Sequence, residues 1–169
     1  LNISKEIRLK GFQLHEAQPL LQGLTEKVSN PETVLTEVLA WTNGQPFLTQ
    51  KICRIIRNYS TTIPTNNEAE WVEKLVRTNV IENWEIQDQP EHLRTIRDRI
   101  LYSTQPRNKL LQLYQQILVE GQVMAIDSPE EKELLLSGLV VKEERVIKVY
   151  NRIYEWVFDR NWVEMAELT

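Results

Sequence analysis

The sequence predicts a mainly α fold, with a helical bundle first and a smaller unit with a β-hairpin after it. Apolar residues recur at helical spacing through most of the chain, and prolines and glycines stand where helices begin and end. Only the last third has two short β-branched runs around a polar turn. With 169 residues, 41% of them hydrophobic, the chain can bury one core or two of about 80 residues each.

The first elements meet at a tight corner. An extended segment is expected up to Phe12, and a short helix over 16–24. A good N-cap, Asn30, then precedes a helix that should end at Asn43-Gly44. Helical spacing resumes at once and continues to Tyr59, so Gly44-Gln45-Pro46 joins two helices.

The middle of the chain predicts two more helices. Asn66 or Asn67 can cap the first, which should extend to about Trp84. The polar stretch EIQDQP interrupts it, and a second helix over 90–102 is expected to bridge the two halves.

The last 60 residues alternate helix and strand. A helix from Pro106 to Gly121 precedes a brief extended VMAI, and a capping box at Ser128 starts the next helix, which should stop at Gly138. A hairpin formed by 139–141 and 146–150 and a final helix complete the segment. This element order is that of a winged helix.

Catalytic and metal-binding constellations are not evident. His15 and His92 each lie beside a glutamate near a helix start, where exposed side chains are the expected interpretation. The single cysteine, Cys53, falls on an apolar helical face and is expected to be buried. No nucleophile motif surrounds it, so the sequence predicts neither a catalytic residue nor a metal site.

Three segments admit a binding role beside a structural one. Gly44 and Pro46 could present backbone and a rigid ring to a ligand, or form an ordinary helix-helix turn. The segment PEHLRTIRDR could offer arginines to a phosphate or a neighbouring domain, although its acidic residues favour a solvated, ion-paired face. Asn151 is a natural N-cap for the final helix.

Charge, hydropathy and the absence of phosphate-binding motifs exclude several functional classes of protein. The net charge of -4, the acidic SPEEKELLLSG helix and the acidic wing KEERV all argue against DNA binding. No apolar run has the roughly 20 residues of a membrane span. No GxxxxGK[ST] or GxGxxG motif occurs, so the chain cannot hold ATP alone. We expect a cytoplasmic protein without a membrane partner.

Three segments, GQPFLTQKICRII, ENWEIQDQPEHLRTIRDRIL and LSGLVVKEERVIKVYNRIYEWVF, carry a resemblance to a known family. Together they resemble the AAA-like domain of cyanobacterial STAND-type signalling ATPases, downstream of the nucleotide-binding core. The Walker A and Walker B segments of that family would lie upstream, so the resemblance implies no enzymatic activity for this chain.

The resemblance also implies sites. Gly44-Gln45-Pro46 matches the family's Gly-x-Pro turn, whose proline packs near the nucleotide base. Relatives place a histidine at the last strand-to-helix junction, near the bound diphosphate, whereas this chain has Asn151 and Arg152 there. This departure puts a nucleotide contact at the junction in doubt, and Arg152 could reach a phosphate or lie on the helix surface. The expected cofactor-binding residues are therefore Gly44, Pro46, Asn151 and Arg152.

Four segments follow from this interpretation. Residues 1–11 would be the tail of the nucleotide-binding core, 12–86 a helical lid, 87–105 a connecting helix and 106–169 a winged-helix domain. The expected function is to sense ATP or ADP with Mg, held by the upstream core, and to relay its identity as domain rearrangement or oligomerisation.

The interpretation also predicts binding partners, and two alternative functions stay open. A downstream sensor or effector domain such as WD40 repeats, and a homo-oligomer on activation, are the expected partners besides the core. The alternatives are a winged-helix DNA-binding regulator and a free-standing protein-interaction adaptor.

Overall fold

A computed structural model describes residues 16–25, 28–59, 63 and 65–169. The predicted extended segment, the core tail over 1–11 and His15 lie outside the described residues. The chain divides into two compact units, Leu1–Glu82 and Asn83–Thr169. The boundary falls between Glu82 and Asn83, and the helix expected to connect two halves belongs to the second unit.

The first unit is helical. Its helices are α1 (Gln18–Gln22), α2 (Pro31–Thr42), α3 (Pro46–Arg57) and α4 (Glu68–Val76), and a π-helical turn, Arg77–Ile81, continues α4. Helix α2 is central, because it packs against the other three. Its buried face places Val34, Leu35, Val38 and Trp41 in the core. An isolated parallel bridge pairs Val28 with Ile63.

Several predictions for the first unit need adjustment. The expected helix over 16–24 is shorter, and Asn30 precedes α2 without a side-chain capping bond. The helix expected to reach Trp84 is interrupted earlier. Glu82 takes an extended conformation (ψ 133°) and Asn83 a left-handed one (φ 53°), which turns the chain away from the helix axis.

The second unit combines helices with a small sheet. Its helices are α5 (Trp84–Gln87), α6 (Leu93–Leu101), α7 (Arg107–Glu120), α8 (Pro129–Ser137), α9 (Arg152–Val157) and α10 (Arg160–Leu168). Its strands are β1 (Val123–Met124), β2 (Val140–Glu143) and β3 (Val146–Val149), which form an antiparallel sheet in the order β1-β3-β2. The fold is therefore mainly α with a small β-hairpin, as predicted. The sheet has a third strand that the hairpin prediction did not include.

Helix α7 organises the core of this unit. It packs against α6, α8, α10, β1 and β3. Leu110, Leu111, Tyr114 and Ile117 form its buried face. Trp84 extends the core by packing edge-on against Phe158, with ring centroids 5.4 Å apart.

The predicted helix ends in the second unit are largely confirmed. Ser128 and Glu131 form the capping box, because each side chain accepts a hydrogen bond from the other residue's backbone N–H. Gly121 and Gly138, at φ of 84° and 88°, end α7 and α8. These are positive φ values that most residues avoid.

The helix predictions in this unit need three corrections. The helix expected from Pro90 begins at Leu93, because the buried Asp88 carboxylate accepts hydrogen bonds from the His92 and Arg94 N–H groups. The predicted break, EIQDQP, is partly helical, because α5 (Trp84–Gln87) includes its first three residues. The predicted last helix is α9, and a further helix that was not predicted, α10, follows it, since Asp159 caps a new start through the Trp162 N–H.

Candidate functional site

The corner between α2 and α3 is built from two left-handed residues and a proline. Asn43 and Gly44 have φ of 48° and 75°, and the Asn43 N–H closes α2 on the Leu39 carbonyl at 2.8 Å. Pro46 occupies the first position of α3, where its missing N–H costs nothing. Glycine at position 44 supplies a conformation that a β-branched residue would resist.

Hydrogen bonds inside the corner fix its angle. The Gly44 N–H donates to Thr42 Oγ1 (3.1 Å), and the Thr49 hydroxyl donates to the Gln45 carbonyl (2.7 Å). The Thr49 hydroxyl has only one hydrogen, which it donates to Gln45. It therefore accepts a hydrogen bond from the Thr42 hydroxyl, at an oxygen–oxygen distance of 2.8 Å. Gln45 Oε1 also accepts from the Leu48 N–H at 2.7 Å, which caps α3.

This network leaves the Pro46 ring as the accessible part of the predicted pair. Gly44 is buried and its N–H is used internally, whereas the Pro46 ring is only half-buried. The corner can therefore offer an apolar, conformationally fixed ring. Gly44 contributes the shape of the turn.

The second predicted pair lies where β3 leads into α9. Asn151 is 4% exposed, and its Oδ1 accepts from the Tyr154 N–H at 2.9 Å, so it caps α9 as expected. Its buried Nδ2 has no hydrogen-bond partner among the described residues. Arg152 is exposed, and its guanidinium lies 5.7 Å from the centre of the Trp156 ring, a cation–π distance.

The four predicted site residues thus form one pair in each unit. Gly44 and Pro46 lie on either side of Gln45 in the corner of the first unit. Asn151 and Arg152 are adjacent in the second unit. Of these side chains, Pro46 and Arg152 are accessible, while Asn151 is committed to the helix start.

A polar contact that sequence reasoning missed lies beside Asn151. His92 Nε2 is 2.6 Å from the Tyr154 hydroxyl, and the two rings stack with centroids 5.9 Å apart. Burial raises the pKa of Tyr154 above its ordinary value, so this hydroxyl keeps its proton even at a pH at which an exposed tyrosine loses it. Because 62 residues separate the partners, no local pattern marks His92, which was expected to be exposed.

The arginines of α6 follow the ion-paired interpretation. Arg94 Nε lies 3.7 Å from the buried Asp88 carboxylate and 3.9 Å from Glu91. Arg97 donates to Asp98 at 2.9 Å and lies 3.7 Å from Glu85.

The third arginine, Arg99, donates to the Leu136 carbonyl at 2.8 Å. These guanidinium groups already have protein partners, so they support packing within the unit.

Cys53 is buried as predicted. It is 2% exposed, and burial raises its pKa to about 11, against the opposing charge of Arg57. A thiol in this state is a poor nucleophile at neutral pH. Among the residues that the structure describes, no three His, Cys, Asp or Glu side chains converge as a metal site.

Comparison with known proteins gives one informative similarity. The chain is 42% identical, over 171 aligned residues, to an uncharacterized WD repeat-containing protein of Synechocystis sp. (strain ATCC 27184 / PCC 6803 / Kazusa). The alignment covers 96% of this chain and 14% of the relative, so the chain corresponds to a small part of a much longer protein. The relative is cyanobacterial, as the resemblance implied.

The other comparisons add nothing to this similarity. No protein-family model matches the chain. No solved structure matches it.

Within the described part of the chain, no helix is long and apolar enough to cross a membrane.

Proposed function

We propose that this chain is the regulatory lid and winged-helix module of a STAND-type, AAA-like ATPase. The corner at Gly44-Gln45-Pro46 carries this proposal. Its internal hydrogen bonds hold a half-buried proline ring at a fixed angle, which suits contact with the base of a nucleotide held elsewhere. The module would sense that nucleotide and would not hydrolyse it.

The second unit supports the winged-helix part of the proposal. Helix α7, strand β1, helix α8, the hairpin and helix α9 follow one another in the order of that fold, and β1 pairs with β3. Arg152, exposed at the start of α9, is the residue that we assign to a phosphate contact. Asn151 would support Arg152 by capping the helix that carries it.

The relative gives the proposal its context. A chain that spans 14% of a WD repeat-containing protein leaves ample length there for other domains. We propose an upstream core that binds ATP or ADP with Mg, and downstream WD40 repeats as sensor or effector. Exchange of the nucleotide would shift the population of two domain arrangements, because each arrangement contacts it differently. A homo-oligomer would form in the active arrangement.

The test measures ADP dissociation from a protein in which the proposed nucleotide-binding core is joined in front of this chain. Pro46→Ala and Arg152→Ala should each speed ADP release by roughly tenfold, the equivalent of one lost contact. Pro129→Ala and Arg160→Ala are matched controls, because they replace a proline and an arginine at the first position of other helices. Unchanged release in both test variants, with the fold intact, would contradict the proposal.

The DNA-binding alternative is weakened by charge. The second unit has 15 acidic and 11 basic residues, whereas the first has nine of each, so the negative charge resides in the winged-helix candidate. Phosphate backbones would be repelled by Glu130 and Glu133 on α8. Salt-sensitive binding of duplex DNA at micromolar concentration would reverse this preference. The adaptor alternative predicts partner binding that is independent of nucleotide.

A further inference from the structure

In the part of the chain that the structure describes, the exposed apolar residues are concentrated in the second unit. Every large hydrophobic side chain found exposed among the described residues belongs to 83–169. Three of them, Val119, Met124 and Ile126, fall within eight residues at the end of α7 and along β1. They are 62%, 66% and 77% exposed, which is unusual for apolar residues so close in sequence.

Strand β1 is an edge strand with backbone groups directed outward. Val123 pairs with Ile147 and Met124 with Val146, and the Ala125 N–H donates to the Arg145 carbonyl at 2.8 Å. In an antiparallel ladder, hydrogen-bonded and non-hydrogen-bonded pairs alternate. The Met124 N–H and C=O therefore point away from β3, toward the open edge of the sheet.

The two edges of the same sheet differ in how they are protected. On β2, Lys142 is paired with Asp127 at 3.4 Å, and Glu143 with Lys148 at 2.8 Å. Charged side chains of this kind discourage another strand from pairing with an edge. The β1 edge instead presents Met124 and has neither lysine nor proline.

A groove follows the β1 edge. It has a volume of about 400 Å³, and its wall is formed by α7, β1 and the start of α8. Leu113, Val123, Met124 and Ile126 line it together with polar side chains. The charged residues in its lining are Glu120 and Glu131, and no lysine or arginine is among them.

We infer that the β1 edge binds an extended segment of a partner protein by strand addition. The segment would pair with the Met124 N–H and C=O, and its apolar side chains would pack against Met124 and Ile126, which line the groove. Alternate positions of the segment would carry lysine or arginine, because Glu120 is exposed at the rim and no basic residue lines the groove. Glu131 is already bonded to the Ser128 and Ile126 N–H groups and shapes the groove.

A second copy of the chain is a poorer occupant than a basic segment. Two copies that met edge to edge would bring two Glu120 side chains and two acidic rims together. The inference does not depend on nucleotide sensing, because it concerns a different part of the second unit from Arg152.

The probe is a phage-displayed library of random dodecapeptides, selected against the folded 169-residue chain. Enriched peptides should alternate apolar residues with lysine or arginine. Amide NMR shifts on adding one of them should be largest at Met124 and its neighbours. Absence of enrichment, or enrichment of acidic peptides, would overturn the inference.

Proline substitutions supply matched variants. Met124→Pro removes an outward N–H that the ladder does not use, so the sheet should survive while peptide affinity falls about tenfold. Lys142→Pro removes the corresponding outward N–H of the β2 edge and should leave affinity unchanged. Equal loss in both variants would contradict binding at β1.

Charge reversal tests the same groove if Met124→Pro does not fold. Glu120→Lys places a cation at the C-terminal end of α7, which suits that helix, and it should weaken binding of the basic peptide about fivefold. Glu164→Lys, at an exposed site on α10, makes the same change in net charge and should leave affinity unchanged. An equal effect of both would show that only overall charge matters, which would also refute the proposed site.

Discussion

Asn151 is the residue at which structural and ligand-binding roles are hardest to separate. Its Oδ1 holds the first turn of α9 through the Tyr154 N–H, and the side chain is buried. A variant that lost the cap would therefore perturb Arg152, its exposed neighbour, without any loss of a ligand contact. A substitution that preserves the acceptor oxygen separates the two roles.

We predict that Asn151→Ala lowers the free energy of unfolding by about 1–2 kcal/mol, the usual effect of removing an N-cap. Asn151→Ser keeps a hydroxyl acceptor and should restore most of that loss. Urea denaturation followed by circular dichroism measures both. Equal stability of the alanine variant and the wild type would mean that the hydrogen bond to Tyr154 contributes little.

Single residues also show what local sequence can reveal. Ser128, Gly138 and Gly44 were identified because a cap or a positive φ requires particular residue types within a few positions. His92 was not, since its partner Tyr154 is distant in sequence. The start of α6 was misplaced for a similar reason. Asp88 competes with Pro90 as the start signal, and only the fold shows that its carboxylate reaches the His92 and Arg94 N–H groups.

At the scale of elements, a buried hydrogen bond ties α7 to the break between α9 and α10. The Tyr114 hydroxyl donates to the Phe158 carbonyl at 2.6 Å, and Tyr114 is 1% exposed. Phe158 ends α9, so its carbonyl needs this partner once the helix has stopped.

Tyr114→Phe should lower the free energy of unfolding by about 1–3 kcal/mol, because it leaves the Phe158 carbonyl without its partner. Tyr102→Phe is the control, since Tyr102 is exposed and its change should fall within about 0.5 kcal/mol. Urea unfolding at pH 7 gives both values. No difference between the two variants would contradict the role given to this bond.

The stability of the protein at alkaline pH gives an independent test of the burial of the Tyr114 hydroxyl. Burial raises the pKa of its phenol well above the ordinary value of 10.0, so the folded state keeps a proton that the unfolded state loses. Stability should be complete below pH 10 and fall as the pH rises above it. The decline should be shallower in Tyr114→Phe, which lacks this proton.

Element types were predicted better than element ends. Helices α2, α3, α7 and α8 and the hairpin combine apolar residues with cap, proline or glycine signals near their ends, and the structure confirms them. The π-helical turn after α4 and the α9–α10 break were missed. Apolar spacing continues through both, and only Asn83 or Asp159 marks the change locally.

At the scale of the whole molecule, the division into two units sets which piece can stand alone. The segment Asn83–Thr169 includes α5 and α6, whereas the predicted winged-helix domain begins at 106. Helix α6 buries Leu93, Ile96 and Ile100, so its removal would expose part of the second unit's core.

We predict that a fragment of residues 83–169 folds cooperatively by itself, since it retains all the described elements of that unit. A fragment of residues 106–169 should be less stable or fail to fold, because it loses α6 and the His92–Tyr154 contact. Thermal denaturation and the dispersion of amide NMR spectra compare the two. Equal stability would favour the boundary predicted from sequence.

The candidate site was only partly accessible to sequence reasoning at this scale. Local sequence marks both pairs, Gly44 with Pro46 and Asn151 with Arg152. It cannot show that Asn151 is buried while Arg152 is exposed, because burial depends on the packing of distant elements. The exposed β1 edge was not predicted for the same reason, since the strand order appears only when the sheet forms.

The hydrogen-bonded corner at Gly44 has one more consequence. Its angle is held by an amide, two hydroxyl groups and a carbonyl, none of which gains or loses a proton between acid and mildly alkaline conditions. The angle between α2 and α3 should therefore not change with pH or with redox state. Because the Thr42–Thr49 hydrogen bond joins α2 to α3, a contact that displaces one of these helices should displace the other with it.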